Sequence, residues 1–435
     1  MIKQLKVIVR NLNSSSSFKC ALDSPKAGMI EGGSKSYLAI AGWVFNQDGQ
    51  ELDVIVSHMP NSIMPLNKER PDVKAAMREA PLVAGFKYPV DYASDFKIGV
   101  KIAEETTWLF QVNIEEVKVL KGSNGHLFLD NDLNRSAEQF SGAFLIPQAE
   151  LEKWDKYFER LNEWSRDLVK PYSFMVAPAK EYIYTDSYPL RKGLVTPLEQ
   201  FYARYLSVAK ITDITERLYK DREFAYYKTD SHWNDYGASL AASEFCRKAG
   251  FKSVNPEVEY SICPIDGDLG SKLLPVQLEN SLVIKNRQEL VRYRVYDNKV
   301  KVRGGVVIYE NPSAPNQMTL MIFGDSFSVS LSDFLSHSFS KVVRVFSGAD
   351  VDWSAVGFEK PDYILVEMTS RFLIRSPSLD FTIYGEVLRK YRAMSKVELE
   401  GHITFTQRDQ SEKFQYYVET SRRALGIVTT KLTNS

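Results

Sequence analysis

Residues 228 to 238 read KTDSHWNDYGA and place Asp230 two positions before His232, one of five histidines in the 435-residue chain. An imidazole exchanges protons near neutral pH, and a neighbouring carboxylate fixes which ring nitrogen carries the proton. The same two residues also suit metal ligation or a hydrogen-bonded turn, so their spacing leaves three readings open. A second stretch, MTLMIFGDSFSVSLSDF, sets Gly324, Asp325, Ser326 and Phe327 between an apolar run and a helical one. A strand-to-helix junction displays side chains at the carboxyl edge of a parallel sheet, where open α/β sheets bind ligands. Gly324 permits a tight turn there, and the free N–H groups of the helix start suit a developing oxyanion, with Asp325 alongside. The competing role for Asp325 or Ser326 is a helix cap. A serine hydroxyl becomes a useful nucleophile when an imidazole accepts its proton, so Asp230, His232 and Ser326 form a candidate Ser-His-Asp set. In an extended segment, residues i and i+2 share a side, which lets Asp230 and His232 occupy one site. Trp233 and Tyr236 then wall that site or simply pack its loop.

Three further residues are candidates for the oxyanion or the substrate. Asn311 precedes the strand that leads to Ser326, Arg371 follows a later strand and has Glu367 as an alternative partner, and Lys180 follows the strand SFMVAP. Their plainer roles are a turn, an ion pair and a solvated lysine. No metal is expected: an Asp-x-His metal pair needs further ligands in motifs such as G-N-H-[DE], and His58, His126, His337 and His402 sit in none.

The elements that must position these residues follow from length and texture. At 435 residues the chain is long enough for more than one core, and 44% hydrophobic with 25% charged residues is ordinary globular usage. Lys plus Arg and Asp plus Glu balance at 55 each, so no net field favours a polyanion and nucleic acid is excluded as the main partner. Three cysteines, Cys20, Cys246 and Cys263, in no C-x-x-C spacing, read as reduced thiols. No stretch reaches the roughly 18 apolar residues of a spanning helix, and the N-terminus lacks a secretory h-region. The sequence as it stands reads as cytoplasmic, or as periplasmic if a signal segment has been removed.

Up to residue 117 the runs LKVIV, SYLAIAGWVF, LDVIV, FKIGVKI and WLFQVNI predict a small β-sandwich, with ERPDVKAAMREAP as a short helix stopped by Pro81. Its aromatics, Trp43, Phe45, Phe86, Tyr88, Tyr92, Trp108 and Phe110, read mainly as core. A boundary falls near Lys118 to Gly122. Beyond it, Leu151, Trp154, Phe158, Leu161 and Leu168 form the stripe of a helix over 148–169, and SFMVAP, MTLMIF, KVVRVF and PDYILVEM are buried strands. A helix over 197–209, strand-like FAYYK, a helix ending at Gly250 and a hairpin across RYRVYDNKVKVRGGVVIYE complete the region. Strands alternating with helices predict a three-layer α/β/α domain with a parallel sheet over 118–394. The appendage 395–435 reads equally as β-rich or helical.

In order and spacing, D-S-H-W, then G-D-S-F, then P-D-Y-I-L-V-E-M-T-S-R-F-L resemble the SGNH-hydrolase-like domain of the alginate O-acetyltransferase family. Similar too are N-G-H-L-F-L at 124–129, A-P-A-K at 177–180 and G-D-L-G at 267–270. The resemblance covers roughly 118–375 and implies Ser326 as nucleophile, His232 as general base and Asp230 as its orienting carboxylate. It further implies an O-acetyltransferase acting on hydroxyls of a bacterial polysaccharide or glycoconjugate. No bound cofactor is implied, but an acetyl donor is required, acetyl-CoA or an acyl carrier protein partner. Polysaccharide-assembly proteins are possible partners, and the N-terminal module is a candidate for binding glycan or partner. His126 stands where the family usually has tryptophan. The rival readings are a carbohydrate acetylesterase with the same triad and a non-catalytic glycan-binding or scaffolding protein.

Overall fold

The computed structural model describes residues 3–32, 37–167, 170–408 and 412–433. The chain divides into two compact units, Met1–Val119 with Gly270–Gln277, and Leu120–Leu269 with Leu278–Ser435.

In the first unit, short β-branched and aromatic runs pair into two antiparallel sheets of six and four strands. Alternation along each strand turns Ile40 and Val44 from one sheet and Val54, Ile98, Val100 and Val112 from the other into a shared core. Phe86 and Phe110 are buried in that core, Phe45 packs with Val73 and Ala80, and Tyr92 is exposed. The helix expected to run to Pro81 spans Pro71–Ala76 and ends where Met77 turns extended.

The second unit is built on a seven-stranded sheet. Its strands in chain order are β1 (Tyr172–Ala177), β2 (Ile211–Asp213), β3 (Arg294–Asp297), β4 (Val306–Glu310), β5 (Asn316–Gly324), β6 (Phe339–Phe346) and β7 (Tyr363–Thr369). They lie in the order β2-β1-β7-β5-β6-β4-β3. The first five in that order pair in parallel, and the β3–β4 hairpin closes one edge antiparallel. The hairpin matches the expectation for RYRVYDNKVKVRGGVVIYE.

Strands buried on both faces read as unbroken apolar runs because successive side chains serve opposite layers. Phe174, Met321, Phe323, Ile364 and Val366 face one layer, while Met175, Leu320, Ile322 and Leu365 face the other. The first layer holds α1 (Gln148–Asp167) and α2 (Pro197–Tyr205), whose Trp154, Phe158, Phe201 and Tyr205 interlock. The Leu168 of the expected stripe lies outside the described residues. The second layer holds α3 (Asp235–Ala249) and α4 (Phe327–Leu335). Asn234 caps α3 by accepting from Gly237 N at 2.9 Å, and Gly250, at φ +77°, ends it.

The C-terminal stretch is helical over Lys396–Arg408 and Gln415–Thr433, and Leu399, Tyr417, Val418 and Leu425 join the core of the first layer. FAYYK is not a strand. Arg222–Ala225 is a turn of helix, and Tyr226 makes an isolated bridge to Trp233. That bridge closes the loop carrying Asp230 and His232.

Candidate active site

Ser326 follows β5 by two residues and stands at the N-cap of α4, at the carboxyl edge of the sheet. The junction is held from below. Asp325 accepts from Phe327 N at 2.9 Å with Oδ1 and from Thr369 N at 2.8 Å with Oδ2, tying the start of α4 to the end of β7. Its own N–H donates to Glu367 Oε2 at 3.1 Å. Asp325 is thus a buried staple, not an oxyanion or substrate group. Gly324 is needed for space rather than for a left-handed φ: a Cβ there would meet Ser328 Cβ at 2.6 Å and Glu367 Oε2 at 2.7 Å. Burial, with the adjoining Asp325 charge, raises the Glu367 carboxyl well above its ordinary range.

The loop 228–232 supplies the other groups. His232 Nε2 lies 2.8 Å from Ser326 Oγ, and His232 Nδ1 lies 2.6 Å from Asp230 Oδ1. With the carboxylate accepting the Nδ1 proton, Nε2 is left to accept from the serine hydroxyl. The loop is bent, not extended as expected: Asp230 Oδ1 also accepts from His232 N at 2.8 Å, so one carboxylate oxygen holds both backbone and ring of the histidine. Burial opposes ionisation of Asp230, but the His232 contacts and the Asp268 N–H hold its carboxyl well below the usual range. Asp268 donates from its backbone N to Asp230 Oδ2 at 2.8 Å. Its carboxylate accepts from Ser231 N at 2.7 Å and from Ser231 Oγ at 2.8 Å. Gly267, at φ +58°, permits this approach, because a Cβ would come within 2.7 Å of Asp230 Cβ. Asp230, His232 and Asp268 bring ligand-type atoms within 4.8 Å of one another. Each of their carboxylate oxygens accepts at least one of the hydrogen bonds just described, and these bonds position the loop.

The remaining candidates divide. Lys180 is 2% exposed, not solvated, and its Nζ donates to the carbonyls of Leu127, Lys228 and Asp230 at 2.9, 2.6 and 3.1 Å. Burial lowers its ammonium to about 7 against the opposing charges of Asp230, Asp268 and Glu181. Asn311 is displaced from the site. It lies at the amino edge of the sheet, where its N–H donates to Ser340 O and its amide bonds the carbonyls of Ser336 and His337 beyond the far end of α4. Trp233 packs instead of walling: it is buried, its Nε1 donates to Ser330 Oγ at 3.1 Å, and its ring meets Phe327 edge-on. Tyr236 rests against Phe224 and Tyr260. Arg371 is half-buried with its guanidinium 5.9 Å from the Phe327 ring, the same ring that lies 5.1 Å from the His232 imidazole. Glu367 is occupied by Asp325 instead, and among the described residues Arg371 makes no ion pair within 4 Å, although its charge acts on the buried Glu181 carboxyl. His126 is buried between Phe128 and Tyr184, and burial, reinforced by the charges of Lys180 and Lys228, lowers it to about 3, so it fills a ring-shaped slot as a neutral group. In the sequence, G-D-L-G gives Asp268 no role of its own, and Glu367 stands only as a partner for Arg371.

A three-layer α/β/α unit with a Gly-Asp-Ser junction at its carboxyl edge defines an SGNH-like enzyme. Residues 119–353, more than half of the chain, match the family described as SGNH hydrolase-like domain, acetyltransferase AlgX, and the chain belongs to that family. It is an SGNH-like serine acyltransferase or esterase. Solved structures similar to it include Bacillus cereus PatB1 with a sulfonyl adduct (14% identity, 59% of this chain and 95% of that one, TM-score 0.45). Another is the O-acetyltransferase domain of Pseudomonas putida AlgJ (17%, 61% and 95%, TM-score 0.39). A third is Pseudomonas aeruginosa AlgX (13%, 61% and 68%, TM-score 0.33). No curated protein matches the chain. None of the described helices is long and apolar enough to cross a membrane.

Proposed function

We propose that this chain moves an acetyl group onto a hydroxyl of a bacterial polysaccharide or glycoconjugate through an acyl-Ser326 intermediate. The observation that carries the reading is the unbroken line from Asp230 Oδ1 through His232 to Ser326 Oγ, at 2.6 and 2.8 Å. As His232 Nε2 takes the hydroxyl proton, Ser326 Oγ attacks the donor carbonyl. The carbonyl oxygen becomes an oxyanion, facing the start of α4, where the Ser326 N–H donates to no other group among the described residues. Collapse expels the donor's leaving group, which takes the proton from His232. The acceptor hydroxyl then gives its proton to His232 and attacks the acyl-serine, and the proton returns to Ser326 Oγ as that bond breaks. Asp230 holds the imidazolium formed in each half. Arg371, beside the Phe327 ring, is the substrate-facing cation of this reading.

The donor is an activated acetyl, acetyl-CoA or an acetyl carried by a partner protein. The sandwich unit serves as the glycan- or partner-binding module, and polysaccharide-assembly proteins are the partners this implies. His232, with 28% of its side chain exposed, is also open to water, which favours acetylesterase activity as the second reading. One experiment separates them: acetate release from a chromogenic acetyl ester with and without oligosaccharide acceptors, for wild type and Ser326→Ala. Acetylated oligosaccharide that disappears in the variant, with a loss of at least about 10³-fold, is expected. Acetate without acetylated product assigns the esterase, and an active Ser326→Ala overturns both.

A further inference from the structure

We infer that Lys180 is a positioning residue for the Asp230–His232 pair, its buried ammonium tying the main chain that carries the pair to the edge of the sheet. The inference rests on the triad reading and adds the element that holds it in place. Lys180 opens the short helix Lys180–Ile183 immediately beyond β1 and is closed off from solvent. An ammonium has three N–H donors and no acceptor. Here all three are matched, to Leu127 O, Lys228 O and Asp230 O, so none is left for a substrate.

The three carbonyls belong to two segments that also bond each other, since Leu127 N donates to Lys228 O at 2.8 Å. Lys180 therefore joins the strand Leu127–Leu129, the end of β1 and the loop that presents Asp230 at one point. Asp268 grips the same loop through Ser231 and the Asp230 carboxylate. The Asp230 main chain is thus held by a cation and its side chain by the Asp268 N–H, which leaves the carboxylate oxygen facing His232 a single orientation. This joins the A-P-A-K and N-G-H-L-F-L motifs to the catalytic loop as parts of one device. An arginine does not replace it, because a planar guanidinium fork does not match three carbonyls converging on one atom.

The test uses the full chain with Lys180→Met and Lys180→Gln, reading kcat and KM on a chromogenic acetyl ester and the downfield proton resonance of His232 Nδ1–H. A displaced loop costs turnover, not affinity. Lys180→Met is expected to lower kcat by about 10- to 100-fold with KM within about twofold, and to broaden or abolish the downfield resonance while the protein stays folded. Lys180→Gln, keeping two donors, should fall between. A folded Met variant with wild-type kcat and resonance overturns the inference, as does a raised KM at unchanged kcat, which would make Lys180 a substrate-binding group. If Lys180→Met does not fold, the Gln variant decides on the same terms, and misfolding of both overturns the inference in favour of a purely structural lysine. The resonance also separates this from failure of the triad reading: it belongs to Asp230 and His232, and Ser326→Ala retains it whether or not that variant is active.

Discussion

Asp230 uses both carboxylate oxygens, one on the ring and backbone of His232 and the other on the N–H of Asp268. Its replacement by asparagine keeps the shape but can present an amide N–H where an acceptor is required, driving the imidazole toward the wrong tautomer. Asp230→Asn should lower kcat on the chromogenic ester by about 10³- to 10⁴-fold at unchanged KM, measured by steady-state kinetics. A loss of less than tenfold would show that the tautomer is set by some other group. The residue types of Asp230, His232 and Ser326 marked them as candidates because proton transfer from a serine hydroxyl needs a base and a carboxylate to orient it, and the fold places the three within hydrogen-bond distance. The contacts of Asn311 and Lys180 were not, since an asparagine before a strand and a lysine after one have the same local pattern at either end of a sheet or at any depth.

The junction between β5 and α4 is an element-scale device in which Gly324 provides room, Asp325 staples α4 to β7, and Glu367 supports Asp325 from β7. Burial and the Asp325 charge raise the folded Glu367 pKa above its unfolded value. The folded state therefore keeps a proton that the unfolded state releases. This contribution to stability is complete below the unfolded carboxylate pKa, about 4.3, and is lost as pH rises toward the folded pKa, at about 1.4 kcal/mol per unit. Glu367→Gln keeps the shape and the acceptor for Asp325 N without needing a proton. Its melting temperature at pH 7.5 should equal or exceed that of wild type, and its decline between pH 5 and 8 should be shallower, as followed by thermal melts. A variant several degrees less stable at pH 7.5 would mean that Glu367 is ionised. Strand and helix identities here came from periodicity, but FAYYK misled: its first residues close a turn of helix with Phe224 exposed, and only Tyr226, buried at an isolated bridge to Trp233, has strand-like pairing.

At the scale of the molecule, every group of the site belongs to the second unit, and the sandwich has its own core. Ile40 is fully buried in that core. Ile40→Ala should destabilise the sandwich by about 2–5 kcal/mol while leaving kcat/KM on a small acetyl ester within about twofold, as read by calorimetry and ester kinetics. A parallel loss would show that ester turnover depends on the sandwich. Balanced charge, 55 against 55, gives the chain no net global field.

What the sequence determined by itself was the fold class and a candidate chemistry: an acid-base-nucleophile set of candidate residues, a Gly-Asp-Ser junction, and apolar strands long enough to be covered on both faces. These are local properties, written in residue type and period. Tertiary structure decided which polar residues face the serine. Lys180 turned inward onto three carbonyls, Asn311 closed the opposite end of α4, and Asp268 arrived from 36 positions beyond His232 to lock the loop. Such choices depend on where distant segments converge and which buried carbonyls and N–H groups need partners there, and a buried polar group left unmatched costs too much for the fold to leave the choice open.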